Sequence, residues 1–149
     1  MIYVGIDPGQ KGGYAIIRKD DTGRTVSAFP WIDVFFTFEM AALKGQDVIA
    51  VIEKVGARPG QGVTSMFNFG KSAGYIEGVL SALGIPYQLI PPQTWKREFS
   101  LIGKDKKASI ETCQKLFPEV DLRRSERSKT DSDGKAEALL IALYAERHL

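Results

Sequence analysis

The two residue types that build most compact metal and nucleophilic sites are almost missing from this chain, which has one cysteine, Cys113, and one histidine, His148. A lone cysteine closes no internal disulfide, and one Cys with one His falls short of the four soft ligands of a structural zinc site, so any metal must be held by oxygen. No apolar run approaches the ~20 residues of a membrane span. Met1 to Ile6 runs into Asp7 with neither the basic flank nor the long apolar stretch of a signal peptide. These absences predict a cytoplasmic protein without membrane contact. Charge of one sign is lacking too: 20 Lys and Arg against 18 Asp and Glu leave a formal +2, so a polyanionic partner must be sought in the distribution of charge. What is present, 149 residues with 44% hydrophobic and 26% charged, suits a single domain over 1–149. At that length folding buries roughly two-thirds of the unfolded chain's surface, without a staple.

Ile2-Tyr3-Val4-Gly5-Ile6 is short, β-branched and aromatic, and stops at Asp7-Pro8-Gly9, which predicts a strand and a turn. Gly12-Gly13 opens a second run, Tyr14 to Arg18, and Asp20-Asp21-Thr22-Gly23 separates it from a third, Thr25 to Phe29. Tight turns between such runs predict an antiparallel three-strand meander. Val34 to Leu43, apolar at nearly every helical contact position, predicts a helix closed at Lys44-Gly45. Val48 to Ile52 reads as a central strand covered on both faces and delivers Glu53 at its end. Val55 to Val63, with Pro59 and three glycines, predicts a mobile loop. A helix is expected through Ala73, Ile76, Leu80 and Leu83 up to Gly84, a strand over Tyr87 to Ile90 stopped by Pro91-Pro92, and a helix marked by Ile110, Cys113 and Phe117. A last helix follows Asp133-Gly134 with Ala136, Leu139, Leu140, Leu143 and Tyr144 as its buried stripe. Three strands, helix, strand, helix, strand, helix, helix is the order of an α/β fold: a five-stranded mixed sheet with helices on its faces.

In an open α/β sheet, ligands collect at the carboxyl edge of the parallel strands. Asp7 and Glu53 each follow an apolar strand, and if strands one and four are parallel neighbours the two carboxylates lie side by side. Asp7 alone reads equally well as a solvated turn carboxylate and Glu53 less so; together their repulsion calls for a hard divalent cation, Mg²⁺ or Mn²⁺. Asp133 and Glu137 share one face at the start of the last helix, where the dipole favours anions. Ordinary capping, with Asp131 or Asp133 as N-cap, is the competing reading there. Four acids at three sequence-distant element ends exceed what capping explains. They are what phosphodiester hydrolysis by two metal ions requires without His or Cys.

Between Lys96 and Lys129 stand ten basic and six acidic residues, so the rest of the chain is net negative. A solvated basic face would look the same, but Lys104, Lys106 and Lys107 crowd the start of a helix, a natural place for phosphate. Phe67 and Phe69, after the glycine-rich loop, are either core residues or a wedge against exposed bases.

At Gly5-Ile6-Asp7-Pro8-Gly9, Val51-Ile52-Glu53 and Asp133-Gly134-Lys135-Ala136-Glu137-Ala138-Leu139-Leu140-Ile141-Ala142 the chain resembles the RuvC-type Holliday junction resolvases, particularly the short phage-encoded branch. Asn68-Phe69-Gly70, Gly74, Gly78, Pro91-Pro92-Gln93-Thr94-Trp95-Lys96 and Gly103-Lys104 carry the likeness over nearly the whole length. The resemblance implies a ribonuclease H-like fold, a homodimer, and symmetric nicking of four-way DNA junctions with two divalent ions per site and no nucleotide cofactor. It makes Asp7, Glu53 and Glu137 the metal-binding acids, with Lys96 and Lys106 or Lys107 as DNA contacts. One departure stands out. Cellular members carry Asp or His three residues before the last acid, where this chain has Gly134, and Glu137 replaces the usual final Asp. Asp133, one helical turn before Glu137, is the expected fourth ligand, with Asp131 as substitute.

Two other readings compete. An actin-like ATPase or sugar kinase also has an Asp in a glycine-rich hairpin, but clasps its nucleotide between two domains where this length provides one. A non-catalytic branched-DNA-binding module would not need four converging acids.

Overall fold

The computed structural model describes residues 1–149. Its sheet has the order β3-β2-β1-β4-β5. Strands β1 (Ile2–Asp7), β2 (Gly13–Asp20) and β3 (Gly23–Pro30) form the antiparallel meander, whereas β4 (Val48–Glu53) lies parallel to β1 and β5 (Tyr87–Ile90) parallel to β4. Helices α1 (Asp33–Leu43) and α2 (Val63–Leu83) supply the crossovers into β4 and β5. After β5 come α3 (Pro92–Glu98), α4 (Lys106–Leu116) and α5 (Asp133–His148).

Strand alternation divides the interior into two cores. Ile2, Val4 and Ile6 of β1, Tyr14 and Ile16 of β2, and Ala50 and Ile52 of β4 pack with Phe36, Met40 and Leu43 of α1 and Ile76 and Leu80 of α2. On the other face Ala15, Ile17 and Val51 meet α5, with Trp95, Cys113 and Phe117 behind it. Helix α5 is buried over almost its whole circumference from Gly134 to Leu143, more than the single stripe expected, because it is sandwiched between the sheet and α3–α4.

Four expectations need correction. A seven-residue helix, α3, begins where Pro91-Pro92 suggested only a stop; proline at the first helical turn lacks an N–H that would be unpaired anyway. Helix α2 begins at Val63, ten residues before Ala73, so Phe67 and Phe69 are helical. The N-cap of α5 is Ser132, whose hydroxyl accepts from the Lys135 N–H, and neither Asp131 nor Asp133. On α1 only Phe36, Met40 and Leu43 are buried, leaving Val34, Phe35 and Phe38 in solvent.

Candidate active site

The parallel register pairs Ile6 with Ile52, so Asp7 and Glu53 leave adjacent strands side by side. Alternation turns both to the α5 face, since Ile6 and Ile52 belong to the α1–α2 core. Helix α5 lies directly on the strand here. A Cβ on Gly5 would fall 2.2 Å from both the Ala138 carbonyl oxygen and the Ala142 nitrogen, so only glycine admits this approach. The contact fixes where Glu137, the neighbour of Ala138, enters the carboxyl edge; Glu137 is 8% exposed.

The electrostatics report the convergence. Burial, then the charges of Glu137, Glu53 and Asp133, push the Asp7 carboxyl well above the usual range, with Lys106 opposing. Burial is also the main cause of the rise at Glu137, reinforced by Glu53 and Asp133 and opposed by Lys96 and Lys106. Three of the four acids are turned to a protein donor. The indole N–H of Trp95 donates to Glu53 Oε2 at 2.7 Å, the Ser109 hydroxyl to Glu137 Oε1 at 3.3 Å, and Lys106 Nζ pairs with Asp133 at 2.8 Å. That pair raises the Lys106 pKa, chiefly through its hydrogen bond.

Asp131 lies elsewhere. Its side chain accepts from Gln114 of α4, its backbone pairs with that of Arg123, and it is not among the charges acting on Asp7 or Glu137. Gly134 cannot carry a ligand at all: its Cβ would fall 2.2 Å from the Lys11 carbonyl oxygen and 2.6 Å from Gly12. Backbone packing of α5 on the β1–β2 turn has taken the place of a side chain there.

No group of three acidic, histidine or cysteine side chains is gathered tightly enough here to hold a metal ion. The donor set nevertheless has the chemistry of a hard-cation site, with carboxylate oxygens only and a central Asp7 whose charge burial and three like neighbours disfavour. A divalent cation would relieve that repulsion once Asp133 turned from Lys106, with Glu53 and Glu137 still held by Trp95 and Ser109.

Lys106 borders the acids, Lys96 acts on Glu137 and sits over the Trp95 ring, and Lys107 reaches toward Glu111 at 4.0 Å. Lys104, in the loop before α4, is exposed. Phe69 rests on the other flank of the site: Gly9, at φ 117°, would bring a Cβ within 3.3 Å of its ring. Phe67 is 69% exposed, which is not the burial of a core residue. A cavity of about 320 Å³ among Tyr14, Phe29, Phe35 and Phe38 lies toward the α1 side and is lined by none of these residues.

Trp95 and Ser109 were not singled out as site residues from the sequence. The usable signals are a tryptophan whose N–H needs a buried partner and a serine sharing the buried face of α4 with Cys113.

Neither a protein-family model nor a curated protein matches the chain. Solved structures do. Thermus thermophilus RuvC in complex with a Holliday junction substrate superposes with a TM-score of 0.60 at 14% identity, covering 99% of this chain and 97% of that one. A second T. thermophilus RuvC structure gives 0.56 at 17%, covering 99% and 96%. This chain has the RuvC fold. The yeast mitochondrial Holliday junction resolvase Ydc2 follows at 0.52 and 13%, over 93% of this chain and 75% of its own. In this fold Asp7 and Glu53 end adjacent strands beneath α5, and α5 brings Glu137 to the same edge. No helix is long and apolar enough to cross a membrane.

Proposed function

We propose that this protein is a metal-dependent endonuclease that resolves four-way DNA junctions. The observation that carries the reading is the convergence of Asp7, Glu53, Glu137 and Asp133 on one carboxyl edge, where burial and then the neighbouring acids raise the pKa of Asp7, in a chain with the RuvC fold. Asp7 is the central ligand, Glu53 and Glu137 flank it, and Asp133 completes the set once released by Lys106. Bound there, a pair of Mg²⁺ or Mn²⁺ ions supplies an activated water and neutralises charge on the leaving oxygen. Trp95 and Ser109 hold the flanking carboxylates in orientation. Lys96, Lys104, Lys106 and Lys107 orient phosphates at the α3–α4 side, and Phe69, beside Gly9, with Phe67 meets bases opened at the branch.

Two symmetric nicks need two copies of the site. Helix α2 presents Gly70, Gly74 and Gly78 at four-residue spacing, and a Cβ at any of them would meet open space. Each glycine weakens a helix by roughly 1 kcal/mol relative to alanine, and nothing within this chain requires them. Close approach of the same helix from a second copy does, which supports a two-fold homodimer.

The decisive experiment supplies a synthetic four-way junction with Mg²⁺ or Mn²⁺. Paired nicks abolished by Asp7→Asn, with junction binding retained, are expected. Binding without nicking in either metal defeats the catalytic assignment and leaves a DNA-binding module.

A further inference from the structure

The segment between α4 and α5 is tied down more firmly than a surface loop needs. Lys135, 6% exposed, sends its ammonium to the main-chain carbonyls of Asp121 and Arg123 at 2.5 and 2.9 Å. The Ser132 N–H donates to the Leu122 carbonyl at 2.7 Å, and the backbones of Arg123 and Asp131 pair in antiparallel fashion. Burying an ammonium is costly unless it is paired, so the carbonyls that satisfy Lys135 must stay where they are, and residues 122–131 form a pinned arm. Arg123 is folded back on Asp121. Arg124 donates to the Gln10 carbonyl at 3.2 Å, fastening the arm to the turn that follows Asp7. Arg127 and Lys129 are exposed and make no hydrogen bond or ion pair within the chain, and Ser125, Ser128 and Thr130 stand beside them.

We infer that this arm is a second phosphate-binding element, gripping a duplex backbone on the β1–β2 side of the site through Arg127 and Lys129, with Lys135 as the positioning residue that holds it in place. The inference rests on the proposed nuclease reading. The arm meets the site at the turn after Asp7, whereas Lys106 and Lys96 meet it at Asp133 and Glu137, so two basic elements adjoin the acids at different ligands. Two free cations and neighbouring hydroxyls on a stiff support are the chemistry that recognises a nucleic-acid backbone without reading its sequence.

The test is the salt dependence of four-way junction binding by the full chain with Ca²⁺ in place of Mg²⁺, for wild type, R127A/K129A and Lys135→Met. Removing two phosphate contacts lowers the slope of log affinity against log salt by about two, so the advantage of wild type over R127A/K129A shrinks about tenfold between 50 and 200 mM salt. Lys135→Met is expected to weaken binding, and combining it with R127A/K129A to cost less than the sum of the separate losses, because the pin acts through the arm. Strict additivity would reduce Lys135 to a merely structural residue and overturn its assignment. Should Lys135→Met fail to fold, the exposed pair still decides: unchanged affinity and slope in R127A/K129A overturn the arm while wild-type nicking keeps the nuclease reading. A wild-type chain that neither binds nor nicks four-way DNA overturns the nuclease reading itself and takes the arm with it.

Discussion

Trp95 gives its indole N–H to Glu53 Oε2 at 2.7 Å while its ring is wholly buried beneath α5. One side chain thus fills the core and orients a candidate ligand. Trp95→Phe keeps most of the packing and removes the donor. Loss of a hydrogen bond to a charged group costs about 1.5–3 kcal/mol, and loss of an orienting partner typically costs about 10–100-fold in activity. Nicking should fall in that range while junction affinity holds. Unaltered nicking at saturating metal would show that Glu53 needs no such support.

At Gly5 α5 touches the backbone of β1, and at Gly134 that of the β1–β2 turn. Alanine at either puts a Cβ 2.2 Å from a carbonyl oxygen, contacts that only a shift of the whole helix relieves. Overpacking costs typically about 1–3 kcal/mol and more where backbone must move. Urea denaturation of Gly5→Ala and Gly134→Ala should show at least that loss; wild-type stability in either would mean that α5 sits farther from the strand.

Much of this was legible beforehand. Apolar runs ending in Asp7 and Glu53, with a helix between them, placed the two carboxylates side by side if the strands were parallel neighbours, and they are. The pairing of Asp133 with Glu137 followed from helical spacing. What the sequence withheld were distances between elements far apart in the chain: that Lys106 lies on Asp133, that Trp95 reaches Glu53, that Asp131 turns away to Gln114. Helix α3 stayed hidden because Pro91-Pro92 stops a strand and starts a helix with the same residues. Phe35 and Phe38 gave a periodic apolar signal although solvent covers them, since hydrophobicity does not say which partner will bury it.

Asp7→Asn also tests the electrostatics without any catalysis. A carboxyl whose folded pKa is raised binds its proton more tightly when folded, so its ionisation takes stability away as pH climbs from the unfolded value of 3.8 through the folded one. In chelator at neutral pH, Asp7→Asn should therefore melt higher than wild type, by about 2–4 °C for each kcal/mol recovered, and the gap should close as pH falls toward 4. A variant that melts lower would mean that the carboxylate is stabilised by partners and that the acids do not repel.

Gly74 offers a test of the homodimer. Its Cβ position is open to solvent, so Gly74→Arg should leave the folded chain's melting intact at low concentration while blocking close approach of a second α2. Sedimentation velocity should find wild type as a dimer and the variant as a monomer, and junction cleavage should pass from paired to single nicks. A variant that still sediments as a dimer places the interface elsewhere, with the exposed Val34, Phe35 and Phe38 of α1 as the next surface to mutate.

Cys113 reports on the other core. Burial, with a smaller contribution from Asp131, pushes its thiol up to about 12 from 9.0, so at neutral pH it is a protonated, enclosed group that thiol reagents reach only through unfolding. Above pH 9 the unfolded chain releases this proton and the folded one does not, which favours unfolding by up to about 1.4 kcal/mol per pH unit until the folded thiol also ionises. Below pH 9 the thiol contributes no slope. Comparing wild type with Cys113→Ala between pH 8 and 11 isolates the effect: the variant starts lower by the packing it loses, and the difference narrows as pH rises. Rapid labelling of native Cys113 at neutral pH, or a constant difference across that range, would mean that α4 opens readily away from α5 and that the thiol is not held in the core.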